Sequence, residues 1–252
     1  HPCGGNDPPA EAGTSVMKSS NTKGLFLIGT GTDIGKTYVA GLITKKLADS
    51  GYSAAYYKAA MSGNDRREDG TLIPGDALHV KTVSGINQPL ETMCPYVYET
   101  AVSPHLASRL EGGPVDPGIV LQGWDQLQGR YDYITAEGSG GILCPIRWEA
   151  DSHILLEDII RMLDLPSLMV ADAGLGTING VVLTAEYMKS RELPLRGIIF
   201  NNWHPGSVME EDNLKMCEAM TGIPVIACVK PGDKDLDIAA DRLTAYFQGT
   251  QA

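Results

Sequence analysis

Residues 29–37 read Gly-Thr-Gly-Thr-Asp-Ile-Gly-Lys-Thr, directly after the apolar run Leu25-Phe26-Leu27-Ile28. This is the pattern of a buried strand, a glycine-rich loop and the start of a helix. Such a loop turns several backbone N–H groups into one concavity, and the helix start adds partial positive charge. Lys36 contributes a full positive charge, and the Thr37 hydroxyl can ligate a Mg²⁺ ion carried by a nucleotide. The chemistry served is the gripping of a nucleoside triphosphate. The strict phosphate-loop pattern asks for a glycine five residues before the glycine of Gly-Lys-Thr. Thr30 stands there, flanked by Gly29 and Gly31, so the match fails by one place. A plain Gly/Thr turn would nevertheless not explain a Lys-Thr pair at a helix start.

Other polar residues follow apolar runs in the same manner. Lys58 ends the second run and is followed by Ser62-Gly63, which suits an anion; it suits equally a surface lysine whose stem covers apolar neighbours. Asp76 opens a helical pattern, where it either complements the helix dipole or offers a hard oxygen to Mg²⁺. Glu137-Gly138-Ser139-Gly140-Gly141 closes another run. An unpaired buried carboxylate is costly, so Glu137 should face a cation or donors unless the segment is a solvated turn. Ala173 to Asn179 is a second glycine-containing loop before a helix, without a lysine, fit for a carboxylate or a phosphate or simply for chain reversal. Asn201-Asn202 ends one more run; a side-chain amide can both donate to and accept from an adenine edge, and turns favour Asn as well.

The elements that must position these groups alternate along the chain. Candidate strands are 24–30, 53–58, 131–137, 167–172, 195–201 and 224–229. Helical patterns cover 36–49, 76–84, 103–110, 117–129, 153–163, 178–190, 207–220 and 235–247. Runs such as Leu168-Met169-Val170-Ala171 are apolar on both faces, as in a parallel sheet covered by helices. The fold class expected is α/β, one doubly wound, mainly parallel sheet flanked by helices, with ligands beyond the carboxyl ends of the strands. Residues 24–252 are expected to form one domain, and residues 1–23 a disordered leader, with Met17 the natural start. Residues 63–75 read as a polar loop over a site.

Length and charge narrow the class. A chain of 252 residues supports one large core, and a net charge of −11 argues against nucleic acid as a partner. No apolar run approaches the ~20 residues of a membrane helix. Five scattered cysteines without a C-x-x-C pair point to reduced thiols in the cytoplasm.

Taken in order, these segments resemble the dethiobiotin synthetase family. The resemblance is carried by 29–37, Tyr-Lys-Ala-Ala-Met-Ser-Gly at 57–63, the Asp76 helix start, Ser103-Pro104-His105, Glu-Gly-Ser-Gly-Gly at 137–141, Gly-Thr-Ile-Asn at 176–179 and Asn201. It spans roughly residues 24–232, and the family's own phosphate loop has the longer glycine spacing. It implies ATP-dependent closure of a ureido ring on 7,8-diaminononanoate with CO₂, through a carbamate and a carbamic–phosphoric anhydride. It implies Lys36 and Lys58 as catalytic cations, and Thr37, Asp76 and Glu137 as Mg²⁺ ligands. Nucleotide contacts are implied at Thr32, Asp33, Ile34, Gly35, Gly138, Ser139, Gly140, Asn201, Asn202, Lys230, Pro231 and Gly232. Ser62 is implied at the carbamate. Gly176, Thr177, Ile178 and Asn179 are implied to bind the substrate carboxylate across a homodimer. Many members carry Asp in place of Gly31 and Pro-Val-Ala in place of Ala59-Ala60-Met61, which leaves substrate preference more open than reaction type. Two alternatives stand beside this one: another small-molecule P-loop ligase, such as an amidotransferase-type synthase, and a nucleotide-switched partner-binding ATPase. The former usually carries a further glutamine-cleaving domain, and the latter a lysine early in the loop, which Gly29 to Gly35 lacks.

Overall fold

The computed structural model describes residues 21–249. β1 (Lys23–Gly29) leads into α1 (Lys36–Asp49), β2 (Ala54–Tyr57), the short β3 (Ala60–Met61) and α2 (Gly75–Ser84). Next come β4 (Tyr96–Val97), α3 (Pro104–Glu111), α4 (Pro117–Asp125) and β5 (Tyr133–Gly141). A hairpin of β6 (Pro145–Glu149) and β7 (Ser152–Leu155) precedes α5 (Leu156–Leu163). The alternation continues through β8 (Ser167–Asp172), α6 (Thr177–Ser190), β9 (Leu195–Asn201), α7 (Val208–Thr221) and β10 (Val225–Val229). It ends with α8 (Ala240–Thr244) and β11 (Gln248–Gly249).

The main sheet has the order β10-β9-β8-β1-β5-β2, with every neighbouring pair in that path parallel. Two apolar layers sandwich it because strand side chains alternate between faces. Leu25 and Leu27 of β1 pack with Val39, Leu42 and Ile43 of α1 and Val80 of α2 on one face. Phe26 and Ile28 pack with Trp124 of α4, Ile160 of α5 and Val181 of α6 on the other. A strand buried on both faces must be apolar throughout, which is why β1 and β8 read as unbroken runs. Helix starts have local causes too: Asp116 accepts a hydrogen bond from Gly118 N (2.8 Å) ahead of Pro117, and Ser207 caps α7.

The six long strands lie where the sequence places them, and the doubly wound class holds. Four details differ. β5 continues through Gly141 instead of ending at Glu137, because the small residues pass tightly beneath their neighbours: a Cβ on Gly138 would come within 2.8 Å of Leu156 Cδ2. The helix expected from 153 begins at Leu156, since Ser152–Leu155 pairs antiparallel with Pro145–Glu149. The helix expected over 117–129 stops at Asp125. The one expected over 235–247 shrinks to Ala240–Thr244, after which the chain pairs antiparallel with the start of β1 (Lys23 opposite Gly249). At the other end, Thr22 is buried and bonded to Tyr131 O (2.7 Å) and β1 begins at Lys23, so the last residues of the stretch expected as leader belong to the fold. The expectations for residues 1–16 and Met17 lie outside the described residues.

Candidate active site

β1 is flanked by β5 and β8, and α1 leaves its carboxyl end. The connecting loop is a tight backbone wrap. Asp33 (φ 57°) and Gly35 (φ 91°) adopt left-handed conformations, and Gly35 caps α1. A Cβ on Gly35 would sit 2.1 Å from Asn201 Nδ2, which donates to Ile34 O at 2.9 Å. The end of β9 thus braces the loop from behind. Lys36, largely buried, folds its ammonium onto Gly31 O (2.8 Å). Burial pulls its pKa below the usual lysine value, and the Glu137 carboxylate opposes that pull.

The charged cluster beside the loop follows from strand register. Tyr56 of β2 stands opposite Thr135 of β5, and Leu27 of β1 opposite Glu137. With a two-residue repeat, Tyr56, Lys58, Thr135 and Glu137 therefore share the face covered by α1 and α2. There Lys58 Nζ lies 2.8 Å from Glu137 Oε2 and 2.7 Å from Asp76 Oδ2 on the first turn of α2. The Glu137 side chain is fully buried, whereas that of Asp76 is 36% exposed. Burial alone would lower the Lys58 pKa, but Glu137 and Asp76 outweigh it and hold the ammonium above its ordinary range. Thr37 Oγ1 (3.2 Å) and Tyr56 OH (3.1 Å) donate to the same Oε2 atom. Glu137 Oε1 is buried without a hydrogen-bond partner.

An orphaned oxygen on a carboxylate whose other oxygen meets Thr37, and which shares Lys58 with Asp76, fits a hard divalent cation, which takes oxygen ligands. Among the described residues no group of three or more His, Cys, Asp or Glu side chains is placed to hold a metal on its own. Two carboxylates and one hydroxyl fit an ion such as Mg²⁺ that keeps waters and substrate phosphates in its shell.

One cavity of about 860 Å³ gathers half of the residues marked in the sequence. The loop lends Thr32, Asp33, Gly35, Lys36 and Thr37; the strand ends lend Lys58, Glu137, Ser139 and Gly140; and Ser62 and Asp76 complete the wall. Ser62 Oγ donates to Val102 O and Ser139 Oγ to Ala60 O (3.0 Å), tying the wall together. Ile34 contributes its carbonyl to Asn201, and Gly138 lies in β5 against Leu156. Lys230 lines a second cavity of about 410 Å³ with Trp203 and Asp233. Its turn through Pro231 and Gly232 (φ 79°) is fastened by Lys230 N to Asp233 Oδ2 (2.9 Å) and by Tyr38 OH to Asp233 O. Asn202 lies outside both cavities and donates to Asp172 Oδ2 (2.8 Å). Gly176, Thr177, Ile178 and Asn179 also stand apart, at the start of α6 beyond Thr30. Within one chain the structure does not bring them to the central cavity.

Two neighbours of the site carry no motif. Cys144 lines the cavity, its thiol pKa raised by burial and partly offset by Lys36 and Lys58. Tyr56 stands behind the wall, and burial, together with the Glu137 charge, keeps its phenol well above the usual range.

Comparison with known proteins gives the family. A family model described as an AAA domain matches residues 23–237. The chain is 46% identical over 215 residues to the ATP-dependent dethiobiotin synthetase BioD of Brachyspira hyodysenteriae, covering 85% of this chain and 95% of that protein. The chain belongs to the dethiobiotin synthetase family. A second synthetase of that name, from Clostridium novyi, is 46% identical over 214 residues, or 85% of this chain and 89% of its own. The family fold extends further: the MinC:MinD cell division protein complex of Aquifex aeolicus aligns with a TM-score of 0.52 at 14% identity, covering 84% of this chain and 83% of that one. At that identity the likeness is one of fold alone.

Proposed function

We propose that the protein is an ATP-dependent dethiobiotin synthetase, closing the ureido ring of dethiobiotin from 7,8-diaminononanoate, CO₂ and ATP in biotin biosynthesis. The observation that carries this reading is the convergence of Lys36, Lys58, Asp76 and Glu137 on one cavity at the ends of β1, β2 and β5. A carbamate and a triphosphate repel each other, so a site that joins them must place cations between them. Lys36 and the loop amides suit the phosphates, and Lys58 suits the incoming carbamate.

The sequence of bonds is then simple. One amine of the substrate takes up CO₂ and loses a proton, giving a carbamate. A carbamate oxygen attacks the γ-phosphorus and ADP leaves, so a carbamic–phosphoric anhydride forms. The second amine attacks the carbonyl carbon, phosphate leaves with the oxygen that bridged it, and the nitrogen sheds its proton. No side chain need act as a strong base, because carbamate is already nucleophilic and positioning carries most of the rate. Thr37, Asp76 and Glu137 would hold Mg²⁺, which neutralises charge on the phosphates when bound. The second cavity, between Trp203 and Lys230, suits the nucleotide base; Asn201 lines neither cavity and donates its amide N–H to Ile34 O.

The start of α6 fits a carboxylate, since its backbone N–H groups and dipole favour an anion. Its separation from the cavity within one chain supports a homodimer in which Gly176 to Asn179 of one subunit reach substrate held by the other. Among the described residues the four cysteines are free thiols, which accords with a reducing cytoplasm. Among the described residues no helix is long and apolar enough to cross a membrane. The test is ADP release on adding diaminononanoate and bicarbonate. Release that needs both supports the reading; release that ignores either rejects it.

A further inference from the structure

Tyr56 has no place in any motif, yet it is tied into the charged cluster more firmly than packing requires. Its side chain is fully buried on β2. A buried phenol usually finds a hydrogen-bond partner, and the adjacent Tyr57 finds the backbone carbonyl of Val120 at 2.6 Å. Tyr56 instead donates to Glu137 Oε2 at 3.1 Å. Its backbone is clamped as well: Tyr56 N donates to Gln88 Oε1 (2.8 Å), and Gln88 Nε2 donates to Tyr56 O (2.9 Å).

The cluster is asymmetric at the carboxylate. Thr37, Tyr56 and Lys58 all donate to Oε2, and Oε1 is buried with no partner. Lys58 and Thr37 both line the cavity, and Lys58 also serves Asp76. Both are placed to change partners when a nucleotide arrives. Tyr56 does not line the cavity, and its clamped strand leaves the ring little freedom. We propose that Tyr56 is a positioning residue for the divalent cation, its hydrogen bond to Oε2 setting the rotation of the Glu137 carboxylate so that Oε1 is the atom presented to the ion. The proposal rests on the reading of Glu137 as a metal carboxylate. Partners behind a ligating group fix its orientation, and their loss commonly costs about 10–100-fold in metal affinity.

The experiment is calorimetric titration of Mg²⁺ into protein holding a non-hydrolysable ATP analogue, with analogue affinity also measured without Mg²⁺. Tyr56→Phe removes only the hydroxyl. It should raise the Mg²⁺ concentration at half-saturation about ten-fold and leave Mg²⁺-free affinity unchanged. Taking the ratio of the two affinities in one preparation cancels any loss of folded protein. Thr135→Val is the control, because its hydroxyl lies opposite Tyr56, is equally buried and has no partner; it should leave both affinities alone. Glu137→Gln separates the two levels of argument. If Glu137→Gln abolishes Mg²⁺ coupling while Tyr56→Phe matches the unmodified protein, Tyr56 is packing and this inference fails alone. If Glu137→Gln leaves coupling intact, the metal reading fails and takes the inference with it.

Discussion

Lys58 holds two carboxylates whose oxygens a divalent cation would also claim. Were Mg²⁺ and a triphosphate to take those oxygens, the ammonium would be freed to face the cavity, where the proposed carbamate would lie. Lys58→Ala should therefore lower kcat by about 10²–10³-fold, the usual cost of losing one preorganised donor to developing charge, while ATP still binds. It should also lower stability, because removing one member of a buried pair leaves the other uncompensated, at about 3–5 kcal/mol. Steady-state kinetics beside a nucleotide titration and a denaturant melt check both halves; normal kcat would remove Lys58 from the chemistry. At this scale the sequence was readable wherever charge ended an apolar run. Glu137 stood out because its burial needs a partner; Lys58 read equally as a surface lysine, and only the structure shows it buried against Glu137 and Asp76. Tyr56 did not stand out, since a tyrosine in a strand reads as core, and only register shows that its hydroxyl reaches Glu137. Cys144 was hidden in the same way, as a small apolar residue.

The phosphate loop shows how an element can depend on one atom's space. Gly35 combines a left-handed φ with a Cβ position 2.1 Å from Asn201 Nδ2, whereas nothing lies within 4 Å of a Cβ on Gly31. Gly35→Ala should abolish nucleotide binding, combining about 1–2 kcal/mol of backbone strain with displacement of Asn201. Gly31→Ala should bind ATP within a few-fold of the unmodified protein. Calorimetry on the pair checks this, and equal behaviour would mean that the brace from β9 is unimportant. The main strands were legible because burial on two faces demands continuous apolar residues. The β6–β7 hairpin was not, because strands of five and four residues with one wet face leave no such trace. The helix expected at 153 borrowed its first turn from β7 for that reason. The end of the chain was misread similarly: pairing of β11 with β1 is long-range, and no local pattern announces it.

At the scale of the whole molecule, several buried acids and Lys58 titrate higher in the fold than free in solution. Burial raises Tyr56 and Tyr57, and pushes Cys94 up to about 12 and Cys217 and Cys228 to about 11. Unfolded thiols, phenols and lysines lose protons near ~8.5, ~10 and ~10.4. Above those values the unfolded chain binds fewer protons than the folded one, so stability falls as pH rises. Lys36, whose pKa is lowered, works in the opposite sense. Melting temperature should hold steady up to about pH 8.5, decline above it and fall more steeply beyond about pH 10; a flat alkaline profile would deny that these groups stay protonated in the fold. Assembly gives a second expectation. If α6 completes a partner's site, Asn179→Ala should raise KM for the diamine at least about ten-fold, on the order of one lost charge-assisted hydrogen bond, with KM for ATP little changed. Equal effects on both substrates would reject a carboxylate site there.

In the proposed mechanism carbamate and γ-phosphate meet in the one cavity that holds Lys36 and Lys58, and exchange an oxygen there. Turnover with bicarbonate labelled in all its oxygens with heavy oxygen, analysed by mass spectrometry of the released phosphate, tests this most directly. Each phosphate released should carry one labelled oxygen from the carbon source. Phosphate free of label, with dethiobiotin still formed, would contradict it.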